Sequence, residues 1–222
     1  MILYCQVESI KSLVSHSQTD FDFTELLQEL SKMETTLQRI NNISKSLKVY
    51  TRHSDLNPKK NISAKNLIQE ALELISLKLK KSKVQMLVSN DIELSVFGNY
   101  SQLTQSLVNI LKNAIEATEG EPNPIVELKS FIKDNSVVIQ IIDNGPGIEN
   151  KDQIFHAFFT TKPKGIGAGL GLTIAEYLIS SNGGQLTINE DHSHTCFQVE
   201  FPIATDNDHN NLLAQSTLIT RN

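Results

Sequence analysis

The amino-acid sequence predicts an α+β fold: a two-layer sandwich with helices on one face of a mixed sheet, preceded by a helical hairpin. Three observations support this prediction. Apolar residues recur every three or four positions over most of residues 1–52, which is a helical period. Beyond residue 61, helix-like and strand-like segments alternate, and two neighbouring apolar runs are separated by a short turn sequence. With 222 residues, of which 39% are hydrophobic, the chain is long enough to bury a core.

Composition excludes several classes of protein. The formal charge is -5, and no basic stripe extends beyond Lys80, Lys81 and Lys83, so nucleic acid is not the expected partner. Cys5 and Cys196 lack metal-ligand spacing, which indicates reduced thiols and a cytoplasmic location. No apolar run approaches the ~20 residues of a membrane span, and we expect any membrane anchor of a longer protein to lie in other parts of it.

The first segment, residues 1–55, has the spacing of a coiled-coil seam. A shorter repeat over residues 1–16 is followed by a polar turn, which favours a hairpin; two ordinary helices on a globular core are the alternative. Pairing of two hairpins into a four-helix bundle would bury the seam, so we expect a homodimer. The first helix would reach only ~24 Å and the second ~43 Å, so we expect the natural protein to continue upstream. The seam of the second helix consists of Leu26, Leu30, Met33, Leu37, Ile40, Ser44, Leu47 and Thr51.

The remaining chain is predicted to contain a linker at 56–61, a domain at 62–203 and a flexible tail or linker at 204–222. Turn-forming residues mark the linker, and the tail is polar without sustained periodicity. Within the domain we predict a helical face from Leu67 to Leu79 and helices at 100–118 and 171–181. Strands are predicted at 84–88, 92–97, 125–133, 137–143, 185–189 and 195–201.

Asn109, Asn113 and Glu116 share one face of the helix at 100–118, because they are spaced four and three residues apart. Amide and carboxylate oxygens suit Mg²⁺, a hard cation that takes its other ligands from water and phosphates. A solvated helix surface is the alternative interpretation. Asparagine is a poor helix former, however, so two at one-turn spacing favour a function.

The segment from Asp143 to Ile148 follows an apolar strand and contains two glycines around a proline. A simple turn is one interpretation. The other is a backbone that a planar ligand approaches closely, with Asp143 accepting a hydrogen bond from an exocyclic amine such as that of adenine.

Glycine occupies every second position from Gly165 to Gly171, and the run leads directly into an apolar helix. Backbone N–H groups at such a helix start favour phosphate binding, although a bare glycine run is more often a flexible linker. It matches neither the dinucleotide fingerprint nor the GxxxxGKS loop. An aromatic cluster that includes Phe155 and Phe158 precedes the glycine run, and Lys162 lies between this cluster and the first glycine.

In this order, the four segments resemble the N, G1, F and G2 boxes of the sensor histidine kinase catalytic region, within the ATPases that include Hsp90, gyrase B and MutL. The matching segments are NILKNAIEA, DNGPGI, FHAFFTTK and GIGAGLGL, and the similarity covers roughly residues 60–203. The hairpin resembles part of that family's dimerisation and phosphotransfer domain.

The resemblance implies a cofactor-binding site for ATP and Mg²⁺. Asn113 would ligate Mg²⁺ with support from Asn109, and Asp143 would bind the adenine amine in a pocket shaped by Gly145 and Gly147. Phe155 and Phe158 would anchor a lid, and Lys162 would lie near the phosphates. The full set of implied site residues is Asn109, Asn113, Glu116, Asp143, Gly145, Gly147, Ile148, Phe155, Phe158, Thr161, Lys162, Gly165, Gly167, Gly169, Leu170, Gly171 and Leu172.

Two departures from the family pattern are visible. Ala168 replaces a hydroxyl residue often found between the lid glycines. No histidine followed by an acidic residue occurs within residues 1–16, and His16 lies beside the predicted turn. We therefore predict a kinase fragment that binds Mg-ATP without phosphorylating itself; the full-length protein would pass phosphate to a histidine and then to a receiver aspartate. The alternatives are a chaperone- or mismatch-repair-like ATPase, whose hydrolytic glutamate is missing at Asn109, and a non-catalytic nucleotide-binding scaffold.

Overall fold

The computed structural model describes residues 58–89, 94–162 and 169–203, and in addition Val7, Ile10, Thr24, 26–33, Thr36, Leu37 and Ile40. The described residues fall into two compact units. The larger unit draws on His53–Phe155 and Gly171–Asn222, and the smaller on Met1–Arg52 and His156–Leu170. Every described residue before residue 41 is helical. The rest of the predicted hairpin, most of the linker and the predicted tail at 204–222 lie outside the described residues.

The larger unit is built on a mixed sheet, as predicted, and this sheet has five strands. They are β2 (Gln85–Ser89), β4 (Ile125–Lys133), β5 (Ser136–Asp143), β6 (Gln185–Ile188) and β7 (Thr195–Pro202). The strands lie in the order β2-β4-β5-β7-β6, with β2 parallel to β4 and the other pairs antiparallel. Asp134 and Asn135 adopt positive φ angles of 47° and 62° in the turn between β4 and β5, which suits a tight hairpin.

Four helices accompany the sheet: α1 (Ala64–Leu74), α2 (Ser76–Lys81), α3 (Tyr100–Ala117) and α4 (Gly171–Ser181). The single helical face predicted from Leu67 to Leu79 is therefore divided at Ile75 into α1 and α2. The side chains of Ser63 and Asn99 cap α1 and α3 by accepting backbone N–H hydrogen bonds. None of the helices among the described residues is long and apolar enough to cross a membrane.

The core lies between these helices and one face of the sheet. Alternate residues of β4, β5 and β7 are buried in a cluster with side chains of α1, α3 and α4. Leu128, Ile141 and Val199 come from the sheet, and Leu111 and Ala175 from the helices. The predicted two-layer α+β architecture is thus confirmed. Because β5 and α3 both contribute to this core, their ends are held in place within the larger unit.

One strand was missed by the sequence prediction. β1 (Lys60–Ser63) pairs antiparallel with β3 (Ser95–Gly98) in a separate two-stranded sheet. Lys60 and Asn61, predicted as linker, are therefore strand residues. The preceding Lys59 donates a 2.7 Å hydrogen bond from its ammonium group to the carbonyl oxygen of Ser181 at the end of α4. Only Ile62 is apolar in this strand, so the sequence lacks the alternation of apolar and polar residues that predicts a strand.

Candidate functional site

Asp143 ends the central strand β5, and its side chain is 1% exposed. Its neighbours in register are Val126 on β4 and Thr195 on β7. The backbone N–H of Gly145 donates a 3.1 Å hydrogen bond to Asp143 Oδ1. Among the residues that the structure describes, no hydrogen bond reaches the buried Oδ2 atom. A buried acceptor without a donor is costly, so this atom is suited to a ligand that brings its own donor.

Burial raises the pKa of Asp143 to about 6, because an ionised carboxylate is poorly solvated there. Three neighbours act in the opposite direction and lower the pKa: the Gly145 N–H, the Thr195 side chain and the charge of His194. The carboxyl group therefore titrates close to neutral pH. Perturbed groups of this kind are concentrated at functional sites.

Gly145 brings the loop after β5 into close contact with the end of α3. A Cβ atom at this position would lie 2.6 Å from the carbonyl oxygen of Ala117 and 2.9 Å from Asp143 Oδ1. Gly147 instead requires glycine for its backbone conformation, with φ at 90°. Ile148 is half-buried and packs against the core. Glycine is thus required at the two positions of the predicted adenine pocket for different reasons. Gly145 allows close packing between the loop after Asp143 and the end of α3, whereas Gly147 allows a positive φ angle.

Asn144 anchors the same loop to the start of β4. Its Oδ1 accepts a 2.8 Å hydrogen bond from the N–H of Ile125, and its Nδ2 donates a 2.8 Å bond to the carbonyl oxygen of Asn123. Sequence reasoning treated this residue only as a turn former. Its contacts hold the loop that follows Asp143 in a single position.

The predicted metal face of α3 is engaged in several contacts. Asn109 Nδ2 donates to the carbonyl oxygen of Gly171 over 3.2 Å, and Asn109 Oδ1 accepts from Gln105 over 2.9 Å. Asn113, one turn later, is half-buried. The ammonium group of Lys78 on α2 forms an ion pair with Glu116. Asn109 therefore links α3 to the first residue of α4, and Glu116 brings a cation to this face.

Of the residues predicted for the lid, three lie in the larger unit. Phe155 packs against the core, and its carbonyl oxygen accepts a 2.9 Å hydrogen bond from the Thr173 hydroxyl. Gly171 begins α4 and Leu172 is buried in the core cluster. Thr173, which sequence reasoning missed, connects the aromatic segment to α4.

The smaller unit contains the other described lid residues, Phe158, Thr161, Lys162, Gly169 and Leu170. The N–H of Phe158 donates a 2.8 Å hydrogen bond to the carbonyl oxygen of Gly169. Both residues have positive φ angles, 70° for Phe158 and 64° for Gly169. The N–H of Lys162 donates to the Thr160 hydroxyl over 3.2 Å. Gly165 and Gly167 lie outside the described residues.

The described residues of the larger unit thus form a two-layer sandwich: a mixed sheet under three packed helices, with a buried aspartate and two glycines near the helix that carries the paired asparagines. A family model described as histidine kinase-, DNA gyrase B-, and HSP90-like ATPase matches residues 98–205. The catalytic domain of histidine kinase ThkA is 31% identical, with a TM-score of 0.58, over 66% of this chain and 99% of that one. The chain belongs to this ATPase family, and the relatives it matches include sensor histidine kinases.

Two further comparisons define the extent of the similarity. The two-component sensor PprA of Pseudomonas aeruginosa is 30% identical over 187 residues, which are 80% of this chain and 20% of that protein. A structure of ThkA in complex with a response regulator protein has a TM-score of 0.66 at 24% identity, over 91% of this chain and 59% of that one. The latter likeness concerns the fold. The chain spans about a fifth of the length of PprA.

Proposed function

We propose that this chain binds Mg-ATP as the catalytic part of a two-component sensor histidine kinase. The proposal rests above all on Asp143, whose buried Oδ2 lacks a donor among the described residues. The 6-amino group of adenine supplies such a donor. Gly145 and Asn144 fix the adjoining loop, so that the acceptor is held in place before the base arrives.

Asn113 would hold Mg²⁺, with Asn109 as a supporting residue. Amide oxygens suit this cation, which completes its coordination with phosphate oxygens and water. When bound, the ion would neutralise charge on the phosphates. Asn109 also argues against a hydrolytic ATPase: its amide cannot act as a general base, and it is hydrogen-bonded to Gln105 and Gly171.

In the full-length protein, the γ-phosphate would pass to a histidine and then to an aspartate of a response-regulator receiver domain. The catalytic contribution of these residues would be positioning and charge neutralisation. Lys162 and the predicted glycine lid would face the phosphates. Because residues 1–16 contain no histidine followed by an acidic residue, we expect this chain not to phosphorylate itself.

We further propose that the chain acts in the cytoplasm as a homodimer. Leu30, Leu37 and Ile40 belong to the predicted seam and are 47%, 53% and 47% exposed. Exposed leucine and isoleucine at this spacing favour pairing with a second copy.

Isothermal titration calorimetry with ADP and a non-hydrolysable ATP analogue, each with and without Mg²⁺, tests nucleotide binding. Asn113→Ala should abolish the Mg²⁺-dependent part of the affinity. Asn66→Ala, a matched change at an exposed position of α1, should leave it intact. If Asn113→Ala retained the same Mg²⁺-dependent affinity as Asn66→Ala and the wild-type chain, Asn113 would not belong to the site.

Incubation with γ-labelled ATP tests the expected lack of self-phosphorylation. No acid-labile label should appear on the wild-type chain. A labelled histidine would contradict this expectation while supporting the kinase assignment.

A further inference from the structure

A cavity of about 700 Å³ lies within the larger unit, where the end of α2 and the turn after α3 come together. Its volume is sufficient for a small organic ligand. None of the described residues assigned to Mg-ATP binding lines it. Two of its lining residues, Lys81 and Lys83, belong to the short basic cluster of the sequence, which has no role so far.

Backbone hydrogen bonds hold the walls of this cavity in place. In the turn after α3, the N–H of Glu121 donates a 3.1 Å hydrogen bond to the carbonyl oxygen of Thr118. Gly120, between them, has a φ angle of 100°. The N–H of Gln85, at the start of β2, donates a 2.8 Å bond to the carbonyl oxygen of Pro124 before β4. The cavity is therefore formed before any ligand arrives, which lowers the cost of binding.

The cavity carries charges of both signs on different segments of the chain. The lysine pair, Lys81 and Lys83, lies at and just after the end of α2. The glutamate pair, Glu119 and Glu121, lies in the turn after α3. Within the described ranges, no ion pair joins a lysine of the first pair to a glutamate of the second. Both pairs are thus available to a ligand.

The rest of the lining adds apolar surface. The side chain of Leu77 is 72% exposed, whereas Val84 is half-buried and packs against the core. The third lysine of the lining, Lys78, forms an ion pair with Glu116 and adds no unbalanced charge. A ligand of this cavity would therefore contact aliphatic surface as well as two cations and two anions.

We propose that this cavity binds a small organic zwitterion: its anionic group contacts the lysine pair, its ammonium group contacts the glutamate pair, and an aliphatic spacer joins the two groups. The spacer lies against Leu77 and Val84. This inference is independent of nucleotide binding.

Electrostatic complementarity favours a zwitterion over a singly charged ligand. An anion without an ammonium group would gain from the lysine pair but would bring like charge towards the glutamate pair, and a cation would have the converse problem. The end of α3 adds to this preference. Its last turn contains no basic residue, so the partial negative charge of its C-terminus favours a bound ammonium group beside Thr118.

Titration of the isotope-labelled 222-residue chain, followed by backbone amide NMR, tests the proposal. The probes are ω-amino acids from 4-aminobutyrate to 8-aminooctanoate. The member that binds best is then compared with the alkanoate and the alkylammonium ion of the same length. Saturable shifts are expected at the amides of residues 82–84 and 118–121. The zwitterion should bind about fivefold more tightly than either singly charged probe, as for one additional exposed ion pair.

Two double variants separate the charged contacts. Lys81→Met with Lys83→Met should lower the affinity for the zwitterion to that of the alkylammonium ion on the wild-type chain. Glu119→Gln with Glu121→Gln should lower it to that of the alkanoate. Lys80→Met is the matched control, because Lys80 is an exposed lysine of α2 that does not line the cavity. This control should bind the zwitterion as the wild-type chain does.

Several results would overturn the proposal. One is the absence of saturable shifts with every member of the series, and another is equal affinity for the zwitterion and the singly charged probes. Saturation confined to amides elsewhere in the chain would place the binding outside this cavity. An equal loss of affinity in Lys80→Met and in the lysine double variant would show that only the general charge of α2 attracts the probe.

Discussion

The loop after β5 and the Phe158–Gly169 contact are both formed by a glycine pressed against another backbone, but they are stabilised differently. A Cβ at Gly145 would lie 2.6 Å from the carbonyl oxygen of Ala117, and one at Gly169 would lie 2.5 Å from the carbonyl carbon of Phe158. The loop is fixed by the buried end of β5 and by Asn144. The second contact places a phenylalanine at φ 70° while its side chain is 60% exposed.

The two regions therefore differ in the kind of free-energy cost that they carry. At the loop, the core holds an unsatisfied acceptor, so the energetic cost is electrostatic. At Phe158 the cost is conformational, since a bulky residue rarely adopts a positive φ. Strained backbone of this kind is common in segments that change conformation. We therefore expect substitutions in the two regions to differ in size and in the property they change.

Gly145→Ala should have the largest effect. The added methyl group would meet the Ala117 backbone at the end of α3, and neither element can move without disturbing the core. We expect a loss of about 2–4 kcal/mol in the free energy of unfolding and loss of nucleotide binding. Urea denaturation and calorimetry measure both. Gly171→Ala is the control for the denaturation measurement alone, because a Cβ there meets nothing within 4 Å.

Asp143→Asn should increase stability and weaken binding. The carboxyl group has its pKa raised to about 6 by burial, whereas an ordinary aspartate titrates near 4. Wild-type stability should therefore fall as the pH rises from about 4 to 6 and then remain lower, by about 3 kcal/mol at most. The Asn variant lacks this decrease, so it should be the more stable protein at pH 8 and nearly equal at pH 4.

Denaturation curves of both proteins at pH 4 and pH 8 test this expectation. A stability difference that does not change with pH would show that Asp143 is already ionised at no cost in the folded state. Loss of ADP affinity in the more stable variant would show that the carboxylate is kept for binding.

Phe158→Gly should have a smaller effect. Glycine adopts a positive φ without strain, and little buried surface is lost because the phenylalanine side chain is mostly exposed. We expect a change of about 1 kcal/mol or less in local stability, measured by hydrogen exchange of the Phe158 amide. Nucleotide affinity should change more than global stability if the aromatic ring anchors a lid. An equally large change in both would contradict a lid role.

Much of this architecture follows from the local sequence. Strong hydrophobic periodicity predicts α3, and the Asp134–Asn135 turn predicts the β4–β5 hairpin. The DNGPGI segment likewise predicts that Asp143 and Gly145 belong to the candidate site. Long-range relations were not predictable, because spacing along the chain does not encode them. The contact of Gly145 with Ala117 and the register of Thr195 opposite Asp143 required the three-dimensional fold.

The β1 strand and the Lys78–Glu116 ion pair illustrate why prediction failed elsewhere. β1 has four residues and is stabilised by pairing with β3, more than thirty positions away. Glu116 was interpreted as an oxygen donor from its helical spacing with Asn113. Its partner Lys78 comes from α2, and the apolar spacing alone predicts α1 and α2 as one helical face.

The Lys78–Glu116 ion pair should give the smallest effect. Both side chains are about 30% exposed, at 30% and 28%, so solvent weakens their attraction. A double-mutant cycle with Lys78→Met and Glu116→Gln should yield a coupling energy of about 0.2–1 kcal/mol in stability. If the pair also orients the Asn113 face, Glu116→Gln should reduce Mg-ADP affinity more than it reduces the affinity for Mg²⁺-free ADP. Equal losses in both would limit the pair to joining α2 with α3. The ion pair lies at the partly exposed surface of α2 and α3. Substituting Lys78 or Glu116 should therefore reduce nucleotide affinity far less than Gly145→Ala.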